Sequence, residues 1–125
     1  MNLAVKSHFE RLISYIPPLG EFPRAELFSN PTILEPLKNL SKKLGVNLYI
    51  KRDDTLPLAM GGNKVRQLEY YLGEAITQKA DTILITGSVQ SNFVRLCAAA
   101  ARKFGMRPIV QLEERVSKSN IEYNR

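Results

Sequence analysis

Thr82-Ile83-Leu84-Ile85-Thr86-Gly87-Ser88-Val89-Gln90-Ser91-Asn92 decides the fold. Its first half is a short apolar run rich in β-branched residues, which predicts a buried strand over residues 82–86. Its second half is a polar loop, and the alanine-rich stretch that follows predicts a helix over 92–104, ended by Gly105. Residues 107–112 form a second strand-like run. Strand, helix and strand at this spacing make a βαβ unit and therefore a parallel sheet. In such sheets ligands bind beyond the carboxyl ends of the strands, where small residues let backbone N–H groups and short side chains face an anion. The polar loop sits at that edge. Ordinary N-capping of the helix by Ser91 or Asn92 accounts for the same residues without a ligand.

Working upstream, Gly61-Gly62-Asn63-Lys64-Val65-Arg66 places a lysine in the first turn of a second helix, residues 63–78, directly after a glycine pair. Val65, Leu68, Leu72, Ala75 and Ile76 share one face of that helix at helical spacing, so the lysine rides on an anchored element. A helix N-terminus disfavours an ammonium by a few tenths to about 1 kcal/mol, which suits an amine used as a nucleophile. A snorkelling surface lysine after a glycine-rich turn is the plainer alternative. The rest reads as a short helix near residues 7–13 broken by Pro17-Pro18-Leu19-Gly20, a helix over 36–44 stopped by Gly45, a strand over 47–51 and a loop over 55–60. The three strands, 47–51 included, are expected to form a parallel sheet with exposed edges and at least one uncovered face.

The order of these blocks carries a resemblance. Pro31-Thr32 with Leu34, Leu37 and Leu40, then Tyr49-Ile50-Lys51-Arg52-Asp53-Asp54, then Ala59-Met60-Gly61-Gly62-Asn63-Lys64, then Gln90-Ser91-Asn92 resemble the pyridoxal-phosphate (PLP) enzymes of the tryptophan-synthase-β-like fold, or fold type II. The resemblance covers residues 22–125 and is specifically to the D-cysteine desulfhydrase and 1-aminocyclopropane-1-carboxylate (ACC) deaminase family. The Ala59-Met60 pair is more similar to the desulfhydrase branch.

The resemblance implies an α/β fold in which residues 1–65 belong to the larger PLP domain and residues 66–125 to the smaller one. It implies PLP as cofactor, with Lys64 as the covalently bound lysine and the base at the substrate carbon. Asn92 would hydrogen-bond the cofactor's ring oxygen, while Asn63 and Gly62 would shape the wall beside it. Ser91, with Gln90 and Asn92, would hold the substrate carboxylate. The reaction would be loss of sulfide and ammonia from D-cysteine to give pyruvate, or ring opening of ACC to 2-oxobutanoate and ammonia. The protein would be a cytoplasmic homodimer acting on a small amino acid. Phe93 departs from the family, where many relatives carry histidine.

That family is well over twice as long as this chain, and its glycine-rich phosphate loop lies downstream of residue 125. Ser119-Asn120-Ile121-Glu122 is an S-x-x-E capping box that announces a helix just before the sequence stops. These features predict an N-terminal fragment, inactive by itself. A non-catalytic remnant protein is the contending reading.

Composition bounds the other classes. With 125 residues, 44% hydrophobic and 24% charged, the chain has the make-up of a globular domain. A net charge of +6 and a pI near 9.6 raise the question of nucleic acid, but the basic residues are dispersed and lack aromatic interleaving. No run of about 18 apolar residues is present. A lone cysteine, Cys97, suits a reducing compartment and a small buried hydrophobe. One histidine, His8, and one cysteine do not make a zinc site, so no metal is expected. Asp53-Asp54 reads as strand-end carboxylates bonded to neighbouring N–H groups or to Arg52. There is neither a G-x-x-x-x-G-K-[ST] nor a G-x-G-x-x-G pattern.

Overall fold

The computed structural model describes residues 7–114; the capping box at 119–122 lies outside them. Helix α1 spans His8–Tyr15, strand β1 Leu34–Pro36, helix α2 Lys38–Leu44 and strand β2 Tyr49–Lys51; helix α3 spans Lys64–Thr77, strand β3 Thr82–Ser88, helix α4 Asn92–Lys103 and strand β4 Arg107–Glu113. Short 3-10 turns lie at Pro17–Glu21, Asp53–Thr55 and Leu58–Met60, the last inside the stretch expected as loop.

The βαβ unit forms as its sequence dictates. Strands β3 and β4 pair in parallel from Thr82↔Arg107 to Ser88↔Glu113. Helix α4 joins them, capped by Ser91 and ending before Gly105, which takes a φ of +78°. The strand over 47–51 does not join this sheet. It pairs antiparallel with β1, Leu34↔Lys51 to Pro36↔Tyr49, so the expected three-stranded parallel sheet resolves into two two-stranded sheets. The expected helix start at 36 moves to Lys38 for the same local reason. Pairing with β2 keeps Leu34-Glu35-Pro36 extended, and the position of Glu35 before a proline favours the same backbone there. Helix α2 then doubles the chain back, with Leu48 N–H donating to Ser41 Oγ at 2.9 Å and Leu37 N–H to the Leu48 carbonyl at 2.9 Å.

The core sits where α3 crosses α4. Val65, Leu68 and Leu72 from one helix and Leu96, Ala100 and Ala101 from the other are essentially sealed, joined by Ile85, Met106, Leu56, Leu27 and Phe28. Cys97 is buried among them, and burial pushes its thiol pKa up, away from reactive thiolate. Two expectations fail at the edge of this core. Ile76 is 43% exposed, because α3 runs past the core after Ala75. The β3 strand is buried on one face only: Ile85 lies under α4, while Leu84 is 74% exposed. Among the described residues nothing covers that second face.

The N-terminal segment is fastened across α3. A Cβ on Gly73 would stand 2.2 Å from the Pro23 carbonyl oxygen, so only glycine lets the segment lie against the helix there. One turn earlier Glu69, 3% exposed, takes Arg24 Nε and Nη2 at 2.8 Å each and the Leu27 N–H at 2.8 Å. Its own carbonyl receives the Ala25 N–H. The Arg24 guanidinium also lies 4.3 Å from the Phe9 ring, which ties α1 to the same anchor.

Candidate functional site

Chemistry-bearing residues gather at the N-terminal ends of α3 and α4. The chain reaches α3 through four consecutive residues with positive φ: Ala59 at +42°, Met60 at +65°, Gly61 at +65° and Gly62 at +128°. Glycine is required at 61 twice over. Its φ excludes most side chains, and a Cβ would stand 2.5 Å from the Asp54 carbonyl oxygen. Ala59 and Met60 hold the same region without that freedom, a backbone strain that surrounding structure must sustain. Gly61 N–H donates to Leu58 O and Gly62 N–H to Asp53 O, each at 2.8 Å.

Lys64 is the first residue of α3 and is half-buried. Among the described residues no hydrogen bond or ion pair engages its Nζ. Asn63 occupies the N-cap position, but its side chain makes no cap bond. Lys51, by contrast, donates its amine to the Thr32 carbonyl.

The second loop is built as a cap. Ser91 Oγ accepts the Val94 N–H at 3.3 Å, so the capping reading of Ser91 is correct, and Asn92 is the first helical residue. The hydroxyl keeps its own proton to donate while it accepts. Gly87 closes strand onto helix, since a Cβ there would stand 2.8 Å from Val94 Cγ2. Gln90 and Asn92 are exposed. Phe93 is partly buried and packs against the core cluster.

The fold brings these two loops together. A Cβ on Gly62 would sit 3.8 Å from Asn92 Nδ2 and 3.5 Å from Leu96 Cδ1, so the absent side chain leaves room between the lysine turn and the start of α4. Arg95 Nη2 reaches the Gly61 carbonyl at 3.4 Å, and its Nη1 is buried with no partner among the described residues. Arg95 is thus part of the junction between the two loops. Amine, amide, hydroxyl and an open helix N-terminus form a donor set that suits an anionic aldehyde cofactor such as PLP. Among the described residues no cluster of three His, Cys, Asp or Glu could hold a metal, and no helix is long and apolar enough to cross a membrane.

Sequence reasoning missed the ion pair that fastens this site. The Asp53 carboxylate takes Arg66 Nε and Nη2 at 2.7 Å each and the Thr32 hydroxyl at 2.7 Å. Those bonds, Arg66 first, hold its pKa down to about 2 against 3.8 ordinarily. Of the two aspartates Asp54 is the one that pairs with Arg52, which also holds Glu35. The available signal was an arginine two residues past Lys64 with an acidic pair upstream, but their contact spans 13 positions.

The sequence pattern of the family described as "Pyridoxal-phosphate dependent enzyme" matches residues 25–125. The chain is 48% identical over 105 residues to a D-cysteine desulfhydrase of Yersinia enterocolitica, covering 84% of this chain and 32% of that protein. It is 52% identical over 95 residues to a D-cysteine desulfhydrase of Klebsiella pneumoniae, covering 76% and 29%. A solved structure described as an ACC deaminase homologue superposes with a TM-score of 0.75 at 40% identity, covering 85% of this chain and 32% of that one. The chain therefore spans about a third of the length of the curated relatives it matches. Its α/β fold, with the parallel β3–β4 pair, is that of a fold-type-II PLP enzyme in part, and by sequence and fold together the chain belongs to the family of pyridoxal-phosphate dependent enzymes.

Proposed function

We propose that this chain supplies the lysine-bearing part of a deaminating PLP lyase that acts on D-cysteine. The observation that carries the reading is the meeting of the two loops: Gly62, two residues before Lys64, faces the Asn92 amide. Similarity to the two desulfhydrases supports the substrate. PLP, when bound, supplies the electron sink. Lys64 Nζ would hold the cofactor and would take the α-proton of D-cysteine. Asn92 Nδ2 would donate to the cofactor's ring oxygen, and Asn63 and Gly62 would wall that side. Ser91 Oγ, Gln90 and the N–H groups opening α4 bind the substrate carboxylate, which favours a helix N-terminus. Sulfide leaves the β-carbon, and hydrolysis yields pyruvate and ammonia.

ACC is the second reading, favoured by the 0.75 superposition on the ACC deaminase homologue; there Lys64 would act at a ring carbon. The proposal includes a division at residue 65 between the larger and smaller domains, a homodimer, and a cytoplasmic location that suits the unpaired Cys97. The test is borohydride reduction of the holoenzyme followed by peptide mapping, with sulfide and 2-oxobutanoate release measured in parallel. Label on Lys64 with sulfide release is expected. Label on Lys51 or Lys79 would sink the assignment, and 2-oxobutanoate without sulfide would select the ACC reading.

A further inference from the structure

One residue holds the lysine turn from both sides. The Asp53 carbonyl accepts the N–H of Gly62, two residues before Lys64, at 2.8 Å. Its carboxylate takes the guanidinium fork of Arg66, two residues after, through bonds of 2.7 Å each. Thr32 completes the cluster, donating to the carboxylate at 2.7 Å and accepting from Arg66 Nη2 at 3.1 Å, while the Phe28 ring lies 5.2 Å from the same guanidinium.

Two further observations mark this as more than helix docking. The first turn of α3 lacks its usual restraints: Asn63 makes no cap bond and no acidic residue occupies that turn. The turn ahead of it holds Ala59 and Met60 at positive φ, a conformation that needs outside support. Docking of α3 already has its own deeper pair in Arg24 and Glu69.

We propose that Asp53 and Arg66 are positioning residues for Lys64, fixing the height and rotation of the first turn of α3 and thereby the direction from which the amine reaches the cofactor and the substrate carbon. This rests on the reading of Lys64 given above. Neither residue is assigned contact with the cofactor. The fork matters because a lysine at 66 would keep the charge and lose the two-point grip.

The test compares Arg66→Lys and Asp53→Asn with Arg24→Lys in the holoenzyme. Arg66→Lys and Asp53→Asn should lower kcat by about ten- to a hundredfold, the effect of a small misplacement of a reacting group, with KM for D-cysteine within about twofold. Both should shift the pH midpoint of the visible cofactor absorbance. Arg24→Lys should lower Tm and move neither readout. If Arg66→Lys does not fold, Thr32→Val removes a single bond to the same carboxylate and should give the same shift at smaller amplitude. Equal spectra and kcat in all variants, or equal losses in Arg24→Lys and Arg66→Lys, overturn the inference. Borohydride mapping of the unsubstituted protein comes first: label elsewhere than Lys64 overturns the functional reading itself, whereas label on Lys64 with unmoved variants overturns only the positioning role.

Discussion

Helix α3 carries two arginine–carboxylate forks of nearly the same bond lengths, and they differ in everything else. Arg24–Glu69 joins side chains 12% and 4% exposed, and Glu69 also takes a backbone N–H from the N-terminal segment. Arg66–Asp53 joins side chains 38% and 13% exposed and straddles Lys64. Burial decides what a broken pair costs in stability, because a deserted charge in a dry interior has no solvent to turn to. Position relative to the reacting amine decides what it costs in chemistry. On the proposed role of Lys64, the comparison teaches that one bond type serves stability at one place on a helix and function at another, about one turn away.

The largest stability effect is therefore expected away from the site. Glu69→Ala strands the Arg24 guanidinium and the Leu27 N–H together, and should destabilise by about 3–5 kcal/mol in urea unfolding. The visible spectrum of the surviving holoenzyme should not move. A spectral shift as large as that of Arg66→Lys would erase the division of labour between the two forks.

The glycine pair divides in a parallel way. Gly61→Ala drives a Cβ to 2.5 Å from the Asp54 carbonyl oxygen and 2.8 Å from that of Leu56, at a φ of +65°; overpacking against backbone should cost about 2–3 kcal/mol. Gly62→Ala meets only ordinary contacts at 3.5 and 3.8 Å, so its cost is the strain of φ +128°, about 1–2 kcal/mol. Its methyl group, however, would enter the space beside Asn92, and PLP affinity should fall further for Gly62→Ala than for Gly61→Ala. Equal affinities would remove the assignment of Gly62 to the cofactor wall.

What was legible in the sequence follows from how far each interaction reaches along the chain. The β3–α4–β4 unit was plain because its signals are local: β-branched runs, an alanine-rich helix, Ser91 as cap and Gly105 as stop. The lysine turn and the polar loop were each visible for the same reason, and their meeting followed from the family resemblance. Strand β1 was not visible, since three exposed residues, Leu34-Glu35-Pro36, carry no periodicity and are extended by their pairing with β2. Neither fork on α3 was legible, for their partners lie 45 and 13 positions apart. The contact of Arg95 was not legible either, because helical periodicity places a residue on a face, and only the fold brings the Gly61 carbonyl to that face.

Acid should probe the Arg66–Asp53 fork. The Asp53 carboxyl has a folded pKa of about 2, below its ordinary 3.8. A depressed carboxylate pKa contributes stability that is fully present above the unfolded value and is lost as pH falls through the folded one. The window is therefore pH 4 down to 2, and the contribution at stake is about 1–2 kcal/mol. Asp53→Asn should flatten that part of the pH–stability curve. An unchanged acid limb in the variant would show that other carboxylates produce it.

The smallest effects are expected at the start of α4, where the cap and the proposed ligand roles share adjacent residues. Ser91→Ala removes the acceptor of the Val94 N–H, and loss of such a cap costs about 1 kcal/mol. Asn92 is exposed and caps nothing, so Asn92→Ala should alter stability by no more than about 0.5 kcal/mol. Their spectra should run the opposite way. Asn92→Ala should shift the visible absorbance of the holoenzyme, because the amide is the donor assigned to the ring oxygen. Ser91→Ala should leave that absorbance in place and raise KM or slow turnover through the substrate carboxylate. Ser91→Thr keeps an oxygen at the cap and should recover the stability, so any turnover deficit that persists in it belongs to the carboxylate contact and not to a frayed helix. Matching spectra and matching kinetics in the Ser91 and Asn92 variants would leave the loop as a cap alone and confine the cofactor chemistry to the Lys64 side.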